Sequence, residues 1–116
     1  MAGLKLDPVM LRGAYDFLVK CLPFSKWKMP PSRSIRFKVM KNPDTRGLFV
    51  SCGGQDHEIH ISDAAVGHTN SLMRTMAHEM VHVHLSRKSP RTIHGAAFKK
   101  AASLVCKHHG FDEKEF

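Results

Sequence analysis

The sequence predicts an α+β domain built from one N-terminal helix, three antiparallel strands and two further helices. Two periodicities carry this reading. Apolar residues recur at helical spacing over residues 8–21, 71–86 and 94–109, whereas over 33–41 and 57–62 they alternate with polar ones, as in half-buried strands. A length of 116 residues with 42% hydrophobic content suits a single domain, 1–116, around one core.

Asp7 followed by Pro8 has the form of an N-cap with proline in the first turn, and Leu11, Ala14, Leu18 and Cys21 then fall on one helical face. Pro23 and the Pro30-Pro31 pair cannot continue that helix, which makes 22–32 a loop. In the first strand, 33–41, Ile35, Phe37 and Val39 point one way and Ser34, Arg36 and Lys38 the other. Asn42-Pro43-Asp44 marks a turn. A second strand at 47–52 is stopped by Gly53-Gly54, and a third at 57–62 alternates Ile59 and Ile61 with His60. The short connections predict an antiparallel meander. Asn70 or Ser71 can cap the next helix, Arg87-Lys88 suit its C-terminus, and Ser89-Pro90 ends it. After a loop at 89–93 the last helix opens at His94, turns Phe98, Ala101, Ala102 and Val105 inward, and stops before Gly110.

Within the 71–86 helix stands His78-Glu79-Met80-Val81-His82, an H-E-x-x-H sequence. Residues four apart on a helix differ by roughly 40° in direction and about 6 Å in height, so His78 and His82 can share one ion. Glu79 beside them is placed to accept a proton from the water such an ion activates, the arrangement of a zinc hydrolase. Nine histidines in the chain make a chance match conceivable, and the helix supplies the test. Leu72, Met73, Met76, Ala77, Met80 and Val83 fall in one arc roughly 140° wide. His78 and His82 point away from it. His84 lies inside it and reads as packing.

Catalytic zinc takes three protein ligands and keeps one position open, so a third ligand must come from elsewhere. His94 is the best candidate, because a short connection folds the last helix back and sets its start near the end of the H-E-x-x-H helix. His108 and His109 lie roughly 20 Å further along that helix. Glu113 and Glu115 could supply a carboxylate but belong to a charged tail expected to be solvated. His57, His60 and His68 are left out of the metal set. No group that stabilises an oxyanion is identified, with His60 and His68 as weak candidates. The metzincin subclass is excluded, because Leu85 and Lys88 stand where it needs glycine and histidine.

The formal net charge of +8 favours contact with polyanions. Lys26, Lys28, Arg33, Arg36 and Lys38, with Trp27 interleaved, are the candidate nucleic-acid contacts, a phosphate track beside a stacking platform. Cys21, Cys52 and Cys106 form no C-x-x-C pair and read as free or buried thiols. Without a membrane-length apolar run or a secretion signal at the start, no membrane contact and a cytoplasmic location are expected.

These residues resemble the SprT-like zinc metallopeptidases, which are related to the Spartan protease domain. The resemblance rests on H-E-x-x-H at 78–82, on His94-Gly95-Ala96-Ala97-Phe98 in an H-G-x-x-F setting, and on the order helix, three strands, helix, helix. It implies a minimal zincin-like fold, zinc on His78, His82 and His94, and Glu79 as general base. A peptide would lie along an exposed strand edge, for which 57–62 is nominated, and DNA-associated proteins become candidate substrates. The cysteine-rich zinc ribbon that many such proteins carry is missing from this sequence. The alternative is a non-catalytic basic nucleic-acid-binding module stapled by a structural zinc.

Overall fold

The computed structural model describes residues 5–51, 57–66, 68–86 and 94–116. Helix α1 (Pro8–Val19) begins as the sequence requires, with the Asp7 carboxylate accepting from the Met10 amide at 2.8 Å. It buries Leu11, Ala14, Tyr15 and Leu18, and it ends at Val19 rather than Cys21. Two short 3-10 turns, Phe24–Lys26 and Ser32–Ser34, occupy the proline-rich loop, and the Tyr15 hydroxyl donates to the Pro30 carbonyl at 2.6 Å.

Strands β1 (Ile35–Met40), β2 (Gly47–Ser51) and β3 (His57–Ser62) form one sheet in the order β1-β3-β2. This corrects the antiparallel meander. β2 and β3 are antiparallel, but β1 runs parallel to β3, with Ile35 opposite His57 and Val39 opposite Ile61. The connector at 41–46 explains how. Six residues reach up to about 20 Å, whereas stepping past one intervening strand needs only about 10 Å. The Ser62 hydroxyl then ties that connector down, donating to the Asn42 carbonyl at 2.6 Å and accepting from its amide at 3.1 Å.

The period-two pattern holds within each strand. Ile35, Phe37, Phe49, Ile59 and Ile61 are buried on the inner face, while Arg36 and Lys38 are exposed on the outer one. There both flank Glu58, at 3.7 and 3.5 Å, and His60 lies 2.9 Å from the same carboxylate. His60 therefore sits on the outer face, as its alternation predicts.

Helices α2 (Thr69–Ser86) and α3 (Ala96–His109) follow. α1 and α2 pack on the inner sheet face, and α3 packs against α2. α2 starts two residues earlier than expected, so Asn70 and Ser71 lie in its first turn, and the Ser71 hydroxyl donates to the His68 carbonyl at 3.2 Å. α3 ends at Gly110, whose left-handed backbone (φ 75°) lets its amide reach the Cys106 carbonyl at 2.8 Å. The expected features at Cys52, Gly53-Gly54, Arg87-Lys88, Ser89-Pro90 and 89–93 lie outside the described residues. Among the described residues no helix is long and apolar enough to cross a membrane.

Candidate metal centre

α2 divides its faces by residue type. Leu72, Met76, Ala77, Met80 and Val83 are buried in the core, and His84 lies with them, stacked on Trp27 with ring centroids 4.1 Å apart. His78 and His82 project from the other side, one turn apart, so their ring centroids stand 5.1 Å from each other.

The third imidazole is that of His94, with centroids 5.0 Å from His78 and 4.9 Å from His82. One ring nitrogen from each of the three lies within 4.8 Å of the others, and His82 Nε2 and His94 Nε2 are 3.0 Å apart. Two nitrogens held by one tetrahedral zinc would be separated by about 3.4 Å, so this spacing fits a shared ion after a small adjustment. His94 does not open α3. It precedes the N-cap, Gly95, so the third ligand is held by the chain entering the helix rather than by its first turn. Phe98 floors the cluster, with ring centroids 4.6 to 4.9 Å from all three imidazoles. Among the described residues no fourth histidine, cysteine or carboxylate joins them.

Electrostatics suits the cluster to a cation. Burial holds the His82 pKa down at about 4, and the neighbouring His78 and His94 push it the same way. Burial also lowers the pKa of His78, against a backbone oxygen of Phe116 that favours its protonated form. Both rings are thus neutral at pH 7 and keep a lone pair, which metal binding requires. Glu79 is only 4% exposed, and burial raises its carboxyl pKa to about 8. A cation among the imidazoles would draw that value down again.

Glu79 owes its place to a residue that sequence reasoning passed over. A Cβ at Gly47 would lie 2.8 Å from Glu79 Oε2 and 2.8 Å from Thr75 Cγ2, so β2 approaches α2 this closely only with glycine there. A cleft of about 220 Å³ opens at this approach, lined by Gly47, Leu48, Phe49, Glu79 and the three histidines. The strand beside the site is therefore β2, an edge strand. Residues 57–62, nominated as the edge, form the central strand with neighbours on both sides. His60 and His68 do not line the clefts around the histidines.

Glu113 and Glu115 are exposed, yet Glu113 accepts from the Ser103 hydroxyl at 2.9 Å, and Arg46 donates to the Glu115 backbone oxygen at 3.2 Å. Phe116 then returns to the site, its backbone oxygen 2.6 Å from His78 Nδ1.

The candidate nucleic-acid contacts lie elsewhere. Lys26, Lys28, Arg33, Arg36 and Lys38 are exposed, and none lines the clefts around the histidines. One face of half-buried Trp27 is covered by His84, and fully buried Phe24 makes a T-shaped contact with it. Cys106 is a buried free thiol and Cys21 a half-buried one.

No family model matches this chain, and no curated protein matches it.

Proposed function

We propose that this protein is a zinc-dependent metallopeptidase of the SprT-like kind, with His78, His82 and His94 as zinc ligands and Glu79 as general base. The observation that carries the proposal is the convergence of three imidazoles, without a fourth ligand among the described residues, on a cleft that also holds a buried carboxylate. A structural zinc ordinarily has four protein ligands, whereas a catalytic one keeps a position open. This favours the enzyme over the structural-zinc, nucleic-acid-binding module.

Zinc, when bound, supplies Lewis-acid polarisation of the scissile carbonyl and acidifies the attacking water. The remaining work belongs to the chain. Glu79, held against Gly47, takes a proton from that water and passes it to the leaving amine. Phe98 packs against all three rings and so restrains their planes from below. An extended substrate lies along β2, with Gly47, Leu48 and Phe49 facing the cleft. The basic surface would bring such an enzyme to DNA-associated proteins in the cytoplasm.

Glu79→Gln tests the reading directly. Zinc should stay bound at one ion per chain, while cleavage of a disordered basic protein, with or without single-stranded DNA, falls by about 10²- to 10⁴-fold. Unchanged proteolysis would remove Glu79 from the mechanism.

A further inference from the structure

Past Gly110 the chain turns back towards α2 and brings Phe116 to His78. The amides of Glu115 and Phe116 both reach the Asp112 carbonyl at 3.0 Å, which curls residues 112–116 into a single tight turn. Three clasps hold it. Ser103 binds Glu113 from α3, Arg46 binds Glu115 from the start of β2, and the Phe111 ring stacks between His109 and Phe116 at 5.5 and 6.2 Å. The Phe116 ring packs against His78 and Phe98, with centroids at 5.4 and 6.4 Å.

The contact this turn delivers is between the Phe116 backbone oxygen and His78 Nδ1 at 2.6 Å. A backbone oxygen only accepts, so Nδ1 must carry the proton, and the lone pair of the neutral ring then sits on Nε2. A second partner of this kind sets both the tautomer and the ring plane of a metal-binding histidine. Among the described residues, neither His82 nor His94 shows such a bond to the tail.

We infer that residues 111–116 are a strap that makes Phe116 a positioning residue for His78, fixing the Nδ1-protonated tautomer so that Nε2 faces the other two imidazoles. The inference rests on the metal-centre reading for its purpose but not for its geometry. The strap acts through a backbone atom, so the identity of residue 116 matters less than whether the turn is held. Arg46 and Glu113 therefore contribute to ligand geometry through their grip on the strap, and the Arg46 charge also reaches His78 directly.

The test compares the metal-free wild type with a variant lacking residues 113–116, with Arg46→Gln, which loosens one clasp, and with Phe116→Ala, which keeps the oxygen. Nitrogen-15 spectra of the imidazoles should show His78 protonated on Nδ1 in wild type, and still mainly so in Phe116→Ala, which loses the ring contact with Phe111 but keeps the oxygen and both polar clasps. The deletion should release the Nε2-protonated form, with Arg46→Gln intermediate. Zinc affinity, read by competition with a chromophoric chelator, should fall about 10- to 100-fold on deletion. An unchanged His78 tautomer after deletion overturns the strap, as does a shifted tautomer with wild-type zinc affinity. If the wild type itself binds no zinc, the metal-centre reading fails, and the tautomer comparison still decides whether the strap orients His78. Should the deletion not fold, Arg46→Gln decides by the same two measurements.

Discussion

Replacing Glu79 by glutamine should flatten the dependence of stability on alkaline pH in the metal-free protein. The carboxyl pKa stands at about 8 in the folded chain against 4.5 when exposed. Between those values the folded state keeps a proton that the unfolded state gives up, so stability falls as pH rises, by about 1.4 kcal/mol per unit. His82 acts in the opposite sense. Its pKa drops from 6.5 to about 4, so the unfolded chain takes up a proton that the folded one refuses, and stability rises with pH until about 6.5. His78, lowered by burial, adds to that rise. The Glu79 slope is therefore unopposed by these rings only over the 1.5 units from 6.5 to about 8, worth about 2 kcal/mol. In a domain of this size that is roughly 8 °C in melting temperature. Thermal or urea unfolding with a chelator present, at pH 6.5 and 8.5, should show this loss in wild type and not in Glu79→Gln. Equal losses in both proteins would refute the assignment of a buried, protonated carboxyl to the metal-free site.

Two further substitutions probe the cleft from either side. Gly47→Ala places a methyl 2.8 Å from Glu79 Oε2, so strand or carboxylate must move. Turnover should drop about 100-fold with zinc content unchanged, a split that steady-state kinetics beside metal analysis would read. Wild-type turnover would mean that β2 yields without disturbing Glu79. His94→Ala should weaken zinc binding by more than about 100-fold, beyond the usual effect of losing an outer partner. Stoichiometric, tight zinc in that variant would place the third ligand elsewhere.

The parts of the site that the sequence made legible are those set by a rigid local period. Four residues of α-helix bring His78 and His82 together whatever else the chain does, and the same period assigned His84 to the core, where Trp27 covers it. His94 was reachable because two consecutive helices joined by a short connection run back along each other. The strand order was not legible. Alternation along Ile35 to Val39 and Ile59 to Ile61 tells which face is buried, but both the meander and the observed β1-β3-β2 order satisfy it. Gly47 gave no signal because a glycine opening a strand looks the same whether or not a carboxylate abuts it. The Phe116 contact gave none either, since it is made by a backbone oxygen, which every residue type carries.

The corrected strand order also bears on how a peptide would be held. With β3 in the middle, the sheet has two edges, and their chemistry differs. β1 carries Arg36 and Lys38 on its exposed face, and charged side chains of that kind discourage another strand from pairing at an edge. β2 reads Gly47-Leu48-Phe49-Val50-Ser51, without a charge, and Leu48 is 45% exposed. An edge so composed invites a further strand, and backbone pairing of that sort takes its affinity from main-chain hydrogen bonds rather than from side-chain identity. The unguarded edge is the one whose first three residues line the cleft with Glu79 and the histidines. An antiparallel meander would have put β2 in the centre, with no free edge beside Glu79. The parallel pairing of β1 with β3 is thus what supplies the proposed peptidase with a place to lay its substrate.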